Sequence, residues 1–118
     1  MNNLNSILIE GTVDGEVIFK DISSKHKEVF FAIESIRKFK YEDEVVENKI
    51  FVRVKATGRL AEVCNSYLKE GSGVRIVGRL DQNSEGCMFV LAEHVEFKPT
   101  IEKKEAETEK AVEPAEGK

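Results

Sequence analysis

The sequence predicts an all-β fold, a barrel of five strands with one helix between the third and fourth strands. Short apolar runs rich in β-branched residues recur through residues 6–97, turn residues separate them, and one stretch after the third run has helical spacing. Short strands need closed or covered edges, and a closed barrel meets that need. The 118 residues suffice for one core of ordinary size. We therefore expect one domain, residues 1–99, followed by a disordered acidic tail, residues 100–118.

The first half of the chain predicts two strands and a long loop. Residues 6–13 are apolar and β-branched, and Asp14-Gly15 after them predicts a turn. Residues 16–20 either continue this strand or pair with it. Residues 29–36 predict the second strand. The charged stretch 37–48 is then expected to be a mobile hairpin loop.

The third strand, residues 50–56, is the most informative segment. Alternate side chains of a strand point to opposite faces. The set predicted to face the core is Ile50, Val52, Val54 and Ala56. The opposite face carries Phe51, Arg53 and Lys55. An aromatic ring beside two cations on an outer face indicates a binding surface.

The remaining elements complete the barrel. Thr57 or Gly58 can cap a helix that Gly71 is placed to end. Its residues at helical spacing are Leu60, Val63, Cys64, Tyr67 and Leu68. Residues 73–80 and 88–97 predict the fourth and fifth strands. Three strands, a helix and two strands in a closed barrel are the element order of the OB-fold.

Charge excludes a uniformly cationic surface. The formal net charge is −4 and the sequence pI is about 5.3. Residues 101–118 hold six Glu and four Lys, a net charge of −2, so residues 1–100 also carry −2. Any cationic surface must therefore be confined to one face or groove.

Catalytic, metal and membrane roles find no support in the sequence. Cys64 and Cys87 lack metal-ligand spacing and are predicted to be small buried side chains, while His26 and His94 are isolated. No nucleophile, zinc or phosphate-loop motif is present. We expect a cytoplasmic protein that is not an enzyme and has no cofactor, signal peptide or membrane span.

A specific residue pattern spans the helix and the fourth strand. It consists of Gly58-Arg59-Leu60-Ala61-Glu62-Val63, then Tyr67-Leu68-Lys69-Glu70-Gly71-Ser72, then Gly78-Arg79-Leu80. This pattern resembles bacterial single-stranded DNA-binding proteins, and the resemblance extends from Leu4 to Phe97. It implies a homo-oligomer, usually a tetramer, that coats single-stranded DNA during replication, repair and recombination.

The resemblance also implies site residues. Phe39 and Phe51 match positions at which the family places base-stacking aromatics. Thr57 departs from a position that is often aromatic, and the hairpin 81–87 is shorter than the family's long loop. The family's C-terminal run of Asp closed by Ile-Pro-Phe, which docks onto replication and repair proteins, has no counterpart in the final residues 113–118.

The chemistry of single strands suits this set of side chains, because aromatic rings stack on bases and cations meet phosphates. We expect Phe51 to stack on a base and Arg53 and Lys55 to meet phosphates. The predicted extension of this platform comprises Phe39 and Tyr41 with Arg37, Lys38 and Lys40. Arg75 and Arg79 either join the groove or form surface ion pairs. The phenylalanines predicted to lie in the core or an interface are Phe19, Phe30, Phe31, Phe89 and Phe97.

Alternatives remain for the site and for the function. Phe39 could fold back as a lid on the core, and Phe51 could face a partner subunit. The second function is that of an OB-fold protein-interaction module or accessory replication factor with weak strand binding. A small nucleic-acid enzyme on the same scaffold is a third.

Overall fold

The computed structural model describes residues 2–23 and 25–98, which form a closed barrel in the order β1-β2-β3-β5-β4. The elements are β1 (Ile7–Ser23), β2 (His26–Tyr41), β3 (Glu44–Thr57), α1 (Gly58–Tyr67), β4 (Gly73–Gln82) and β5 (Met88–Lys98). Neighbouring strands are antiparallel except for β3 and β5. The predicted all-β OB-fold barrel with one helix between the third and fourth strands is confirmed. The predicted tail, residues 100–118, lies outside the described residues.

Alternating side chains from all five strands fill the barrel. The largest fully buried residues are Val13, Val29, Ile33, Val54, Cys64, Val74 and Ile76. Helix α1 contributes Ala61 and Cys64 to this core. Burying each Val or Ile side chain contributes about 1.5–3 kcal/mol. The core therefore fixes which face of each strand is left for solvent.

The first strand bends instead of turning back. β1 runs through Asp14 and Gly15, and its pairing with β2 is irregular between Asp14 and Ile18. Gly15 has a φ of 85°, a conformation that glycine adopts without strain. The predicted turn at Asp14-Gly15 is therefore wrong, and residues 16–20 continue the strand.

The predicted mobile loop at 37–48 is also wrong, because β2 and β3 remain paired up to Tyr41 and Glu44. The connecting residues Glu42 and Asp43 have φ values of 50° and 68°. Positive φ at both central residues is the signature of the tight hairpin turn whose twist matches paired strands. We call residues 34–51, which extend beyond the buried core, the ribbon. Ile50, predicted to be core, lies in the ribbon and is 46% exposed.

The helix end differs from the prediction as well. The helix stops at Tyr67 rather than at Gly71, and Leu68 is the buried residue after it. Tyr67, predicted on the apolar face, is 70% exposed and its ring centroid lies 5.6 Å from that of Phe97. The Gly71 N–H instead donates to the Val13 carbonyl, which ties the helix connection to β1. No helix in the described part of the chain combines the length and apolarity needed to cross a bilayer.

The two cysteines have different environments. Cys64 is fully buried, whereas Cys87, also predicted to be buried, is exposed next to the β4–β5 hairpin. Burial raises the pKa of the Cys64 thiol to about 11, because the thiolate loses its hydration. Cys87 is exposed because it precedes β5, outside the alternating pattern that buries Val90 and Ala92.

Candidate nucleic-acid interface

A groove of about 610 Å³ crosses the outer face of β1, β2 and β3 and is closed at one side by the β4–β5 hairpin. The lining residues that matter below are Asp14, Glu16, Phe30, Ala32, Arg53, Lys55, Asp81 and Phe89. The outer face of strands 2 and 3, with the neighbouring loops, is where OB-folds bind oligonucleotides. The groove therefore lies at the position that the fold favours for a ligand.

The strand register places the three predicted β3 residues on the groove side. Arg53 is paired with Ala32, Lys55 with Phe30, and Phe51 with Glu34. Directly opposed residues of antiparallel strands point to the same face. Phe51 is 59% exposed, Arg53 is exposed and Lys55 is half-buried. The predicted separation of Phe51, Arg53 and Lys55 from the core is thus observed.

Two aromatic rings in the groove were assigned wrongly from the sequence. Phe30 and Phe89, predicted to lie in the core or an interface, are half-buried in the groove wall. The Lys55 Nζ lies 5.8 Å from the centroid of each ring, and the Lys20 Nζ lies 5.2 Å from that of Phe30. The adjacent pair Phe30-Phe31 could have shown that one of these rings lies outside the core, because neighbouring residues of a strand point to opposite faces. Phe31 takes the core position, at 5% exposure.

Lys55 is already engaged by protein groups. Its Nζ is 3.4 Å from a carboxylate oxygen of Glu28, in addition to its contacts with the two rings. Arg53, in contrast, forms no ion pair with any described residue. A phosphate approaching the groove would therefore meet Arg53 without displacing a carboxylate.

The groove face continues along the ribbon with a cationic excess. We call this continuation the front face. Its cations are Lys38, Lys40 and Lys49, and its carboxylates are Glu34 and Glu47. Three positive and two negative groups leave a net charge of +1 on this face. The Lys49 Nζ is 3.4 Å from a Glu34 oxygen, so one of these cations is paired within the face. The local charge is opposite in sign to that of the whole chain.

Phe39, Tyr41 and Arg37 lie on the other side of the ribbon, which we call the back face. Each is an even number of residues from buried Ile33, so strand alternation puts it on the core side of β2. The Arg37 guanidinium lies 4.5 Å from the Phe39 ring centroid. Phe39 and Tyr41 therefore do not extend the platform that begins at Phe51, although Lys38 and Lys40 do.

Arg75 and Arg79 form ion pairs outside the groove lining. The Arg75 Nε donates to Glu10 at 2.6 Å, and its Nη1 lies 3.4 Å from Glu96. The Arg79 Nε donates to Glu93 at 2.9 Å. The hydrogen bond from Arg75 holds the pKa of Glu10 below its ordinary value, because it stabilises the carboxylate. Of the two predicted roles for these arginines, the structure favours surface ion pairs.

The groove also contains three carboxylates that were not predicted to lie there. Asp14 and Glu16 enter from β1, and Asp81 enters from the β4–β5 hairpin. Asp14 is opposite Ala32 on β2, and Ala32 is opposite Arg53 on β3. No group of three or more His, Cys, Asp or Glu side chains within residues 2–23 and 25–98 is arranged to hold a metal ion.

Comparisons with known proteins agree with this fold. The model of the single-strand binding protein family matches residues 4–87. The single-stranded DNA-binding protein of Helicobacter hepaticus is 36% identical over 81 residues, which are 68% of this chain and 48% of that protein. That of Helicobacter pylori is 31% identical over 81 residues, 68% of this chain and 45% of that protein. The chain thus spans about half the length of the curated relatives it matches.

Two solved structures have the same fold. The Plasmodium falciparum SSB in complex with ssDNA superposes with a TM-score of 0.74 at 16% identity, covering 84% of this chain and 98% of that one. The small single-stranded DNA-binding protein from Streptomyces coelicolor superposes with a TM-score of 0.68 at 20% identity, covering 83% and 95%.

Proposed function

Since the chain belongs to the single-strand binding protein family, whose members are non-catalytic binding proteins, we propose that it binds single-stranded DNA with little sequence preference. Its role is to protect exposed strands during replication, repair and recombination. The observation that carries this proposal is the groove and front face, on which exposed Phe51 and unpaired Arg53 lie together.

Base stacking is the first part of the proposed mechanism. Phe51 offers a ring that is 59% exposed, and Phe30 and Phe89 offer half-buried rings in the groove. Every base has a π face, so stacking tolerates any sequence and contributes about 1–3 kcal/mol per base. Phe51 loses little packing when removed, because most of its surface is already in water.

Phosphate binding is the second part. Arg53 in the groove and Lys38 and Lys40 on the front face lie along one side of the sheet. A strand that follows this side releases counterions as each phosphate is neutralised, so binding weakens as salt rises. Lys55 and Lys49 contribute less, because each already faces a carboxylate.

A specific observation favours the alternative of an OB-fold protein-interaction module or accessory replication factor with weak strand binding. Asp14, Glu16 and Asp81 line the same groove as Arg53 and Lys55, so the groove itself has more carboxylates than cations. These carboxylates repel phosphates. Strand affinity under this alternative would be low even at low salt.

The remaining proposals concern assembly and location. A cytoplasmic homotetramer agrees with family membership, and Leu8, 70% exposed beside Val77 on the outer β1–β4 surface, provides an apolar site for subunit contact. Light scattering after gel filtration tests this. The expected mass is four times the 13.3 kDa of one chain, and the mass of a single chain would contradict it.

A titration of fluorescently labelled oligothymidine at low and high salt tests strand binding. The wild type is expected to bind at low salt, and Phe51→Ala is expected to weaken binding about 5- to 150-fold. Tyr67→Ala is the matched control, because Tyr67 is also exposed but lies at the helix end, away from the groove. Absence of wild-type binding at low salt would favour the interaction module. Cleavage of the oligonucleotide would favour an enzyme.

A further inference from the structure

The back face of the ribbon has an apolar centre between two opposite charges. Directly opposed residues of antiparallel strands share a face, so this face is made of rows of paired residues. From the tip inward, the rows are Tyr41 with Glu44, Phe39 with Val46, and Arg37 with Asn48. The carboxylate of Glu44 therefore lies at the tip and the guanidinium of Arg37 nearer the barrel, on either side of the apolar row.

This apolar centre is left partly open to solvent. No residue of the ribbon is buried, and on its back face Phe39 and Val46 are half-buried while Tyr41 is 61% exposed. A two-stranded ribbon in water is only marginally stable, and covering an apolar face stabilises it. The back face thus has the character of a surface that gains from a partner.

The two charges of this face have no partner within the chain. Arg37 and Glu44 are exposed, and neither forms an ion pair with any described residue. Four residues of extended strand separate the rows of Arg37 and Glu44, which is about 14 Å. That separation exceeds the screening length of about 10 Å in 0.1 M salt, so the two charges hardly interact within one chain.

A second copy of the ribbon satisfies both charges at once. If the copy is turned end for end about a two-fold axis through the Phe39–Val46 row, Arg37 of each copy comes beside Glu44 of the other. Phe39 then packs on Phe39 of the other copy, and both contacts occur twice, as in any two-fold interface. A tip-to-tip arrangement would instead put Arg37 beside Asn48 and leave both charges unpaired.

Charge also distinguishes this occupant from a nucleic acid strand. The back face carries one positive and one negative group, so it offers phosphates no net attraction. The front face carries a net charge of +1, and two front faces would repel each other. The back face is therefore the side of the ribbon that is complementary to itself.

We propose that the back face of the ribbon is a contact surface for a second copy of this chain, in which two ribbons pack antiparallel and Arg37 of each copy pairs with Glu44 of the other. The surface is separate from the β1–β4 surface around Leu8, and the contact needs no nucleic acid. Three rows of two residues make an interface smaller than the standard size, so the association is expected to be reversible.

Charge reversal tests this contact in the full chain without DNA. Sedimentation over a wide range of protein concentration, at about 0.1 M salt, gives the average mass, which should rise with concentration for the wild type. Arg37→Glu and Glu44→Arg each replace two ion pairs by two repulsive contacts. Each variant should therefore need about 10- to 30-fold higher concentration to reach the wild-type mass.

Restoring the charge pair gives the decisive comparison. The double variant Arg37→Glu with Glu44→Arg exchanges the two charges, so it should associate like the wild type. An equal mixture of the two single variants should also associate, because each copy then carries at both sites the charge opposite to that of the other. A fold defect in either single variant would not be corrected by mixing, so recovery in the mixture reports the contact itself.

Lys69→Glu is the control, since it makes an equal change of charge at an exposed position after the helix and should leave the association unchanged. A wild-type mass that does not vary with concentration, or single variants that neither mixing nor the double substitution rescues, would overturn the proposal. If that mass is constant and Phe39→Ala weakens oligonucleotide binding as much as Phe51→Ala, the strand occupies the back face instead. Strand binding is measured separately, so failure of the self-association leaves the proposed function standing.

Discussion

Replacing Arg53 by Gln is expected to change how salt weakens strand binding. Three cations of the groove and front face have no ion pair with a described residue, namely Arg53 in the groove and Lys38 and Lys40 on the front face. Each phosphate neutralised on a single strand contributes a slope of about −0.7 to the logarithm of the binding constant against the logarithm of salt. Three such contacts predict a slope of about −2 for one chain, and Arg53→Gln should reduce it to about −1.4.

The assay is a fluorescence titration with an oligonucleotide of about eight nucleotides, a length within the range that one OB-fold covers. Between 50 and 200 mM salt, the wild-type binding constant should fall about 16-fold and that of Arg53→Gln about 7-fold. Arg79→Gln makes the same chemical change at an arginine that already binds Glu93 outside the groove lining. Its slope should equal that of the wild type.

Two results would refute this reasoning. A wild-type slope that Arg53→Gln leaves unchanged would show that Arg53 meets no phosphate. A change in slope for Arg79→Gln as large as that for Arg53→Gln would show that the outer ion pair opens to bind the strand. In that case the strand path would extend beyond the groove and front face.

Further predictions concern packing, thiol reactivity and the back face. A Cβ at Gly78 would lie 2.1 Å from the Leu91 carbonyl oxygen, so Gly78→Ala should lower the free energy of unfolding in urea by about 1–3 kcal/mol. Gly73→Ala is the control, because its Cβ would lie 3.4 Å from the nearest atom and should lower the free energy of unfolding less. Equal losses would show that the strands separate easily at Gly78. In the native protein only the exposed Cys87 thiol should react rapidly with a thiol reagent, because Cys64 is buried and its pKa is raised to about 11. Cys87→Ser should therefore abolish the rapid reaction. Rapid reaction remaining in that variant would mean that the core opens readily. Phe39→Ala should weaken strand binding less than about twofold, against the larger loss for Phe51→Ala. An equal loss would place the strand on both faces of the ribbon.

The barrel could be predicted because its signals are local. Apolar and β-branched runs such as residues 73–80 mark the strands, and the helical spacing from Leu60 to Cys64 marks the helix. The order of these elements leaves few ways to close a small sheet. The outward position of Phe51 and Arg53 followed from simple alternation along β3.

The ribbon could not be predicted in the same way. Its charged residues 37–48 resemble a loop in composition, and what holds them is backbone pairing across a turn at Glu42-Asp43. Because this stretch is a pair of strands, alternation along them puts Phe39 and Phe51 on opposite faces of the ribbon. The amino-acid composition of the stretch does not predict this separation. Strand propensity depends on context, and solvated paired strands tolerate charge on both faces.

Contacts between distant strands are the other feature that could not be predicted from the sequence. Arg75 is paired because the register brings Glu10 and Glu96 to its two sides, and neither is near it in sequence. Asp14 enters the groove because β1 continues past it and pairs it with Ala32. The positions of these charged side chains depend on which strands become neighbours, and hydrophobic periodicity does not predict strand pairing.

Photocrosslinking of an oligonucleotide with 5-iodouracil at every thymine position tests most directly where the strand lies. Irradiation followed by mass spectrometry of the peptides identifies the aromatic residues that contact bases. We predict crosslinks to Phe51 and to Phe30 or Phe89, the rings of the front face and groove. Crosslinks confined to Tyr67 and Phe97 near the helix end, or to His94 on the outer sheet, would contradict the proposed strand path.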